Sequence, residues 1–84
     1  MEKTIILVLI DGRKKQAVHV QQILTEWGCL IKTRLGIHDG VLDNCSDAGL
    51  LMLEMVGDIE KIRNMQKLLS NLPGVSANLV TMSV

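Results

Sequence analysis

Cys29, His38 and Cys45 fall in one stretch of this sequence, and their side chains suit transition-metal chemistry. Thiolate and imidazole bind zinc, nickel or copper at about 2.0–2.3 Å, so such donors must converge closely. The stretch from Cys29 to Cys45 leads into the longest polar connection of the chain, Asp39 to Ala48. Asp39, Asp43 and Asp47 offer oxygen ligands for calcium or magnesium there, but not in the order of an EF-hand. A solvated polar loop is the plainer reading of those carboxylates. A second place for chemistry is Asp11-Gly12-Arg13, a turn after an apolar run that could seat a small effector. Its plain alternative is a strand-to-helix connection in which glycine allows a sharp backbone. Arg13-Lys14-Lys15 places cations at a helix start, against the helix dipole, and could meet an anionic ligand or simply be solvated.

The elements that must position these residues follow from periodicity. Thr4 to Ile10 is rich in Ile, Val and Leu and ends at Asp11-Gly12, which predicts a strand. From Arg13 the period changes: Ala17, Val20, Ile23, Leu24 and Trp27 form one helical stripe, with Gly28 placed for a left-handed cap. Cys29 to Ile37 predicts a second strand, with Ile31, Leu35 and Ile37 on one face and Lys32 and Arg34 on the other. Gly49 to Val56 predicts a third. Asp58 is placed to cap a helix carrying Ile59, Ile62, Met65, Leu69 and Leu72, which Pro73-Gly74 stops. Val75 to Met82 predicts the last strand. The order is βαββαβ over residues 1–84, a single α+β domain. Two split βαβ units of this length give a ferredoxin-like sandwich: four antiparallel strands with two helices on one face.

This arrangement constrains the metal donors. On one strand, Cys29 and His38 lie about 30 Å apart at ~3.3 Å per residue and differ in parity. Only His38 and Cys45 can meet within one chain, and Cys29 can join them only from a neighbouring subunit. The structural alternative makes Cys29 a small buried hydrophobe at a strand start. His19 reads as a surface histidine, and Met1, Met52, Met55, Met65 and Met82 as core and interface filler.

Composition points to self-association. Trp27 is the only aromatic residue, so the core must be aliphatic and methionine. Nine basic residues balance nine acidic ones, so no net field draws in nucleic acid or an anionic membrane. Ile5, Leu7 and Leu9 alternate with Ile6, Val8 and Ile10; Leu51, Leu53 and Met55 alternate with Leu50, Met52 and Val56. Both sheet faces are therefore apolar, whereas an antiparallel sheet open to water on one side should alternate. Two helices cover one face. A second copy of the chain is expected on the other, as a dimer or tetramer.

Lys32-Thr33-Arg34-Leu35-Gly36-Ile37-His38, Gly49 to Val56 and the ending Leu72-Pro73-Gly74-Val75 resemble the iron-only hydrogenase system regulators, small ACT-like domains. That resemblance covers essentially the whole chain. It implies a regulatory role, with a small effector bound at an oligomer interface near the Asp11-Gly12-Arg13 loop. The order of elements, His38 and the Asp43-Asn44-Cys45 run also resemble the C-terminal domain of the nickel-responsive repressor. That likeness implies nickel ligation by His38 and Cys45. It differs in having Gly36 and Cys29 where the repressor has further histidines, and in one extra residue between His38 and Cys45. The repressor's DNA-binding ribbon-helix-helix has no counterpart here, so DNA binding is not expected.

Other functions lack their residues. There is no Walker A loop, dinucleotide fingerprint or paired nucleophile and base, so an enzyme is not expected. The sheet has no aromatic platform for RNA, and two cysteines cannot hold an iron–sulfur cluster on four thiolates. No run approaches the ~20 apolar residues of a membrane span, and Ile5 to Ile10 is too short for a signal-peptide core. A cytoplasmic regulator is expected. It would bind an effector or a metal such as nickel or zinc, with a ligand-free module for binding a protein partner as the alternative.

Overall fold

A computed structural model describes residues 1–12, 14–38 and 47–84, without the side chains of 12, 14, 15, 37, 38, 47 and 48. The elements run β1 (Glu2–Gly12), α1 (Lys14–Glu26), a 3-10 turn (Gly28–Leu30), β2 (Ile31–His38), β3 (Asp47–Met55), α2 (Ile59–Ser70) and β4 (Val75–Ser83). The strands form one antiparallel sheet in the order β2-β3-β1-β4.

The alternating apolar residues of β1 and β3 set the layers. Ile6 lies opposite Leu53 and Leu79, Val8 opposite Leu51 and Ala77, and Ile10 opposite Val75. This face packs against Val20 and Leu24 of α1 and Ile62, Met65 and Leu69 of α2. Both helices therefore cover the same side, as the βαββαβ order predicts. Spacings of three and four place Ile62, Met65 and Leu69 on one stripe of α2.

Both ends of α2 follow from local chemistry. At its start, Asp58 Oδ1 accepts the Glu60 N–H at 2.9 Å. Beyond its end, Leu72 N–H donates to Leu69 O, and Gly74 takes φ 74°, a left-handed backbone that suits glycine. Val75 then starts β4.

Three expectations about the middle of the chain need correction. Gly28 does not form a left-handed cap but opens the 3-10 turn. β2 starts at Ile31, so Cys29 is outside the strand and exposed rather than buried. The β2–β3 register also slips between Ile31 and Thr33, a bulge at Lys32. Ile31 therefore pairs with Met55 and packs on the core, while Leu35 pairs with Met52 on the opposite face.

Candidate functional site

The face of the sheet away from the helices is built by the other half of each strand pattern. Leu7 lies opposite Met52, which also pairs with Leu35; Leu9 lies opposite Leu50; Ile5 lies opposite Val80 and Glu54. Neither α1 nor α2 covers these residues. Leu9 is 56% exposed, Leu35 50% and Met82 63%. These three alone leave on the order of 300 Å² of side chain in water, the scale of the largest patch on an ordinary monomer. Ile5, Leu7, Leu35, Met52, Val80 and Met82 line an apolar groove of about 370 Å³ along this face.

A polar cluster closes one end of the groove. Lys3 Nζ meets Glu54 Oε2 at 2.9 Å, Thr33 Oγ1 donates to Glu54 Oε1 at 3.3 Å, and Lys32 Nζ lies 4.0 Å from Oε2. The hydrogen bond from Lys3 holds the Glu54 carboxyl below its ordinary pKa, and the charges of Lys3 and Lys32 act in the same direction. Glu54 is the lone charge within the apolar run Gly49 to Val56, a sequence signal for a special position that periodicity passed over. Its partners come from β1 and β2, a convergence that only the sheet order creates.

Cys29 sits at the opposite side of the molecule from the end of β2. Its turn is fixed by Leu30, whose N–H donates to Trp27 O and whose carbonyl accepts the Val56 N–H at 2.7 Å. The free Cys29 thiol borders a depression of about 380 Å³ shared with Glu26, Trp27, Leu30 and Lys61. The full length of β2 separates it from His38, roughly 23 Å at ~3.3 Å per residue. Because Cys29 precedes β2, strand parity does not separate it from His38, but this distance does. The His38 backbone pairs with Gly49, while the His38 side chain and Cys45 lie outside the described residues. Asp39 and Asp43 lie outside them too, as does the Asp47 side chain. Among the described residues, no three His, Cys, Asp or Glu side chains gather as metal ligands.

In the candidate effector turn, Asp11 continues β1 opposite Ala48, and its N–H donates to Gly74 O at 3.0 Å. Its carboxylate lies against the Gly74 Cα, where a Cβ would stand. The Gly12 backbone ends β1 opposite Asp47, and Arg13 lies outside the described residues. His19 is half-buried on α1 rather than fully at the surface, with Nδ1 3.4 Å from Oε1 of the buried Gln16. Arg34 ties β2 to α1 through a 2.8 Å hydrogen bond to Gln21 Oε1.

Two solved structures share this arrangement. Uncharacterized protein TM1266 from Thermotoga maritima superposes with a TM-score of 0.82 at 19% identity, over 99% of this chain and 100% of that one. A dimeric ferredoxin-like protein of unknown function from Thermobifida fusca YX gives 0.50 at 11% identity, over 99% of this chain and 92% of its own. The fold is ferredoxin-like. At these identities the likeness concerns the fold alone. No protein-family model matches the sequence. No curated protein matches it. Within the described residues of this ferredoxin-like domain, no helix is long and apolar enough to cross a membrane.

Proposed function

We propose that the protein is a non-enzymatic regulatory domain that works as a homo-oligomer, with the open sheet face as its interface. The observation that carries this reading is the apolar face of Leu9, Leu35, Met52 and Met82, left uncovered by both helices. A balanced charge opposes self-association little, so a second copy is the simplest cover. The Thermobifida fusca protein of the same fold is itself dimeric, which supports this reading.

The regulatory part rests on the resemblance to the iron-only hydrogenase system regulators. A small effector would bind near Asp11-Gly12-Arg13. Alternatively nickel or zinc would bind His38 and Cys45, joined by Cys29 of another subunit. The exposed Cys29 thiol is available for such a contact. Asp11 packs on Gly74, so a ligand at this turn reaches directly to the start of β4. By favouring one arrangement of subunits, it would alter the surface offered to a partner protein. The second reading, a ligand-free interaction module, uses the same apolar face for a different protein.

The deciding experiment is the solution mass of the wild type against a Leu9→Lys/Leu35→Lys variant. Both side chains are half-exposed, so the variant should fold, and its mass should fall to a smaller assembly. An unchanged mass would assign the interface elsewhere.

A further inference from the structure

The two edges of the sheet are not alike. β2 carries Lys32, Arg34 and a bulge, which are devices that blunt an edge against pairing. β4 pairs with β1 in unbroken register from Ser83 to Val75, with no charge, proline or bulge along it.

The hydrogen bonds show which groups of β4 face outward. Asp11 N–H donates to Gly74 O, and Val84 exchanges bonds with Met1, so even-numbered residues of this strand bond to β1. In an antiparallel ladder the alternate residues then face away. Val75 and Ala77 agree with this parity. Val75 N–H turns to Leu72 O, and the Ala77 carbonyl accepts from Gln66 Nε2 at 2.6 Å and Ser70 Oγ at 3.0 Å. The Leu72 carbonyl and two side chains of α2 thus cover the first part of the edge. Among the described residues this cover stops at Ala77, leaving the outward N–H and C=O of Leu79, Thr81 and Ser83.

We propose that this half-edge, Leu79 to Ser83, pairs antiparallel with the same segment of a second copy, forming a continuous eight-stranded sheet. The register follows from the covered half. With Ala77 occupied, the pairing that uses all three free residues sets Thr81 opposite Thr81 and Leu79 opposite Ser83, for about six main-chain hydrogen bonds. On the open face this brings Val80 beside Met82 of the other copy and covers the most exposed apolar side chain of the groove. The segment matches itself, uncharged residue against uncharged residue, and this favours a second copy as the occupant.

This edge is distinct from the interface assigned above. Its two-fold axis stands perpendicular to the sheet, while a face-to-face axis lies parallel to the sheet plane, and where two such axes intersect they close a tetramer.

Amide hydrogen exchange of the purified wild type tests the edge. Leu79, Thr81 and Ser83 should exchange as slowly as Val80 and Met82; fast exchange at those three beside slow Val80 and Met82 overturns the pairing. Thr81→Pro removes an outward donor without touching the β1 ladder, and proline is tolerated at such edge positions. The folded variant should show half the wild-type mass, and an unchanged mass also overturns the proposal. If Thr81→Pro does not fold, the wild-type exchange pattern decides alone. The Leu9→Lys/Leu35→Lys variant should keep slow exchange at Leu79, Thr81 and Ser83, which separates failure of the face from failure of the edge.

Discussion

The Asp11 carboxylate occupies the space that a side chain on Gly74 would need, and its backbone N–H bonds the Gly74 carbonyl at 3.0 Å. One contact thus joins the end of β1, at the candidate effector turn, to the start of β4. Gly74 also has φ 74°, so a larger residue there meets both a clash and an unfavourable backbone. Gly74→Ala should cost about 1–2 kcal/mol, read as a lower denaturation midpoint in urea. Asp11→Ala in the same background should recover part of that loss by removing the clash.

The core makes a larger demand. Leu53 and Met65 are fully buried between the sheet and the helices, where truncation leaves a cavity. Leu53→Ala or Met65→Ala should each cost about 2–5 kcal/mol in a chemical denaturation series. Asp58→Ala, which removes the cap on Glu60 N–H, should cost only about 1 kcal/mol.

Glu54 gives a pH dependence whose sign is fixed. Its pKa is lowered in the folded state, chiefly by the hydrogen bond from Lys3, so the folded protein favours the charged carboxylate. The stabilisation is present above the ordinary glutamate range and is lost as pH falls through the folded pKa. An NMR titration should find Glu54 below the ordinary glutamate value, and Lys3→Met should move it upward. Because the pair is solvent-exposed, the stability change should be small and should shrink further in high salt.

The metal reading has its own check. Protein purified without a histidine tag should bind nickel or zinc with a rise in melting temperature, since a ligand of the folded state stabilises it. A combined His38→Ala/Cys45→Ser variant should lose that rise. Cys29→Ser should weaken it only if the thiol joins from a neighbouring subunit. No binding by the wild type would leave the effector turn and the ligand-free module.

The sequence made some of this legible and concealed the rest for physical reasons. β1 and α2 were readable because alternation in Ile5 to Ile10 and the Asp58 cap with Pro73-Gly74 are local signals. The apolar open face was readable too, since both parities of β1 and β3 are apolar. The bulge at Lys32 was not, because it is set by pairing with β3 and leaves no mark on periodicity. Reading through it placed Ile31 and Leu35 on one face, when they lie on opposite ones. Periodicity puts Cys29 on a strand because the 3-10 turn is held by Val56 N–H on Leu30 O, a contact distant in sequence. Glu54 was passed over for a similar reason: Lys3 and Thr33 reach it only after three strands have paired.

Sedimentation equilibrium of the wild-type protein shows whether copies of the chain associate. The open face of Leu9, Leu35, Met52 and Met82 requires a mass that is a multiple of the 9.3 kDa chain at micromolar concentration. A single-chain mass across that range would contradict self-association through the sheet face.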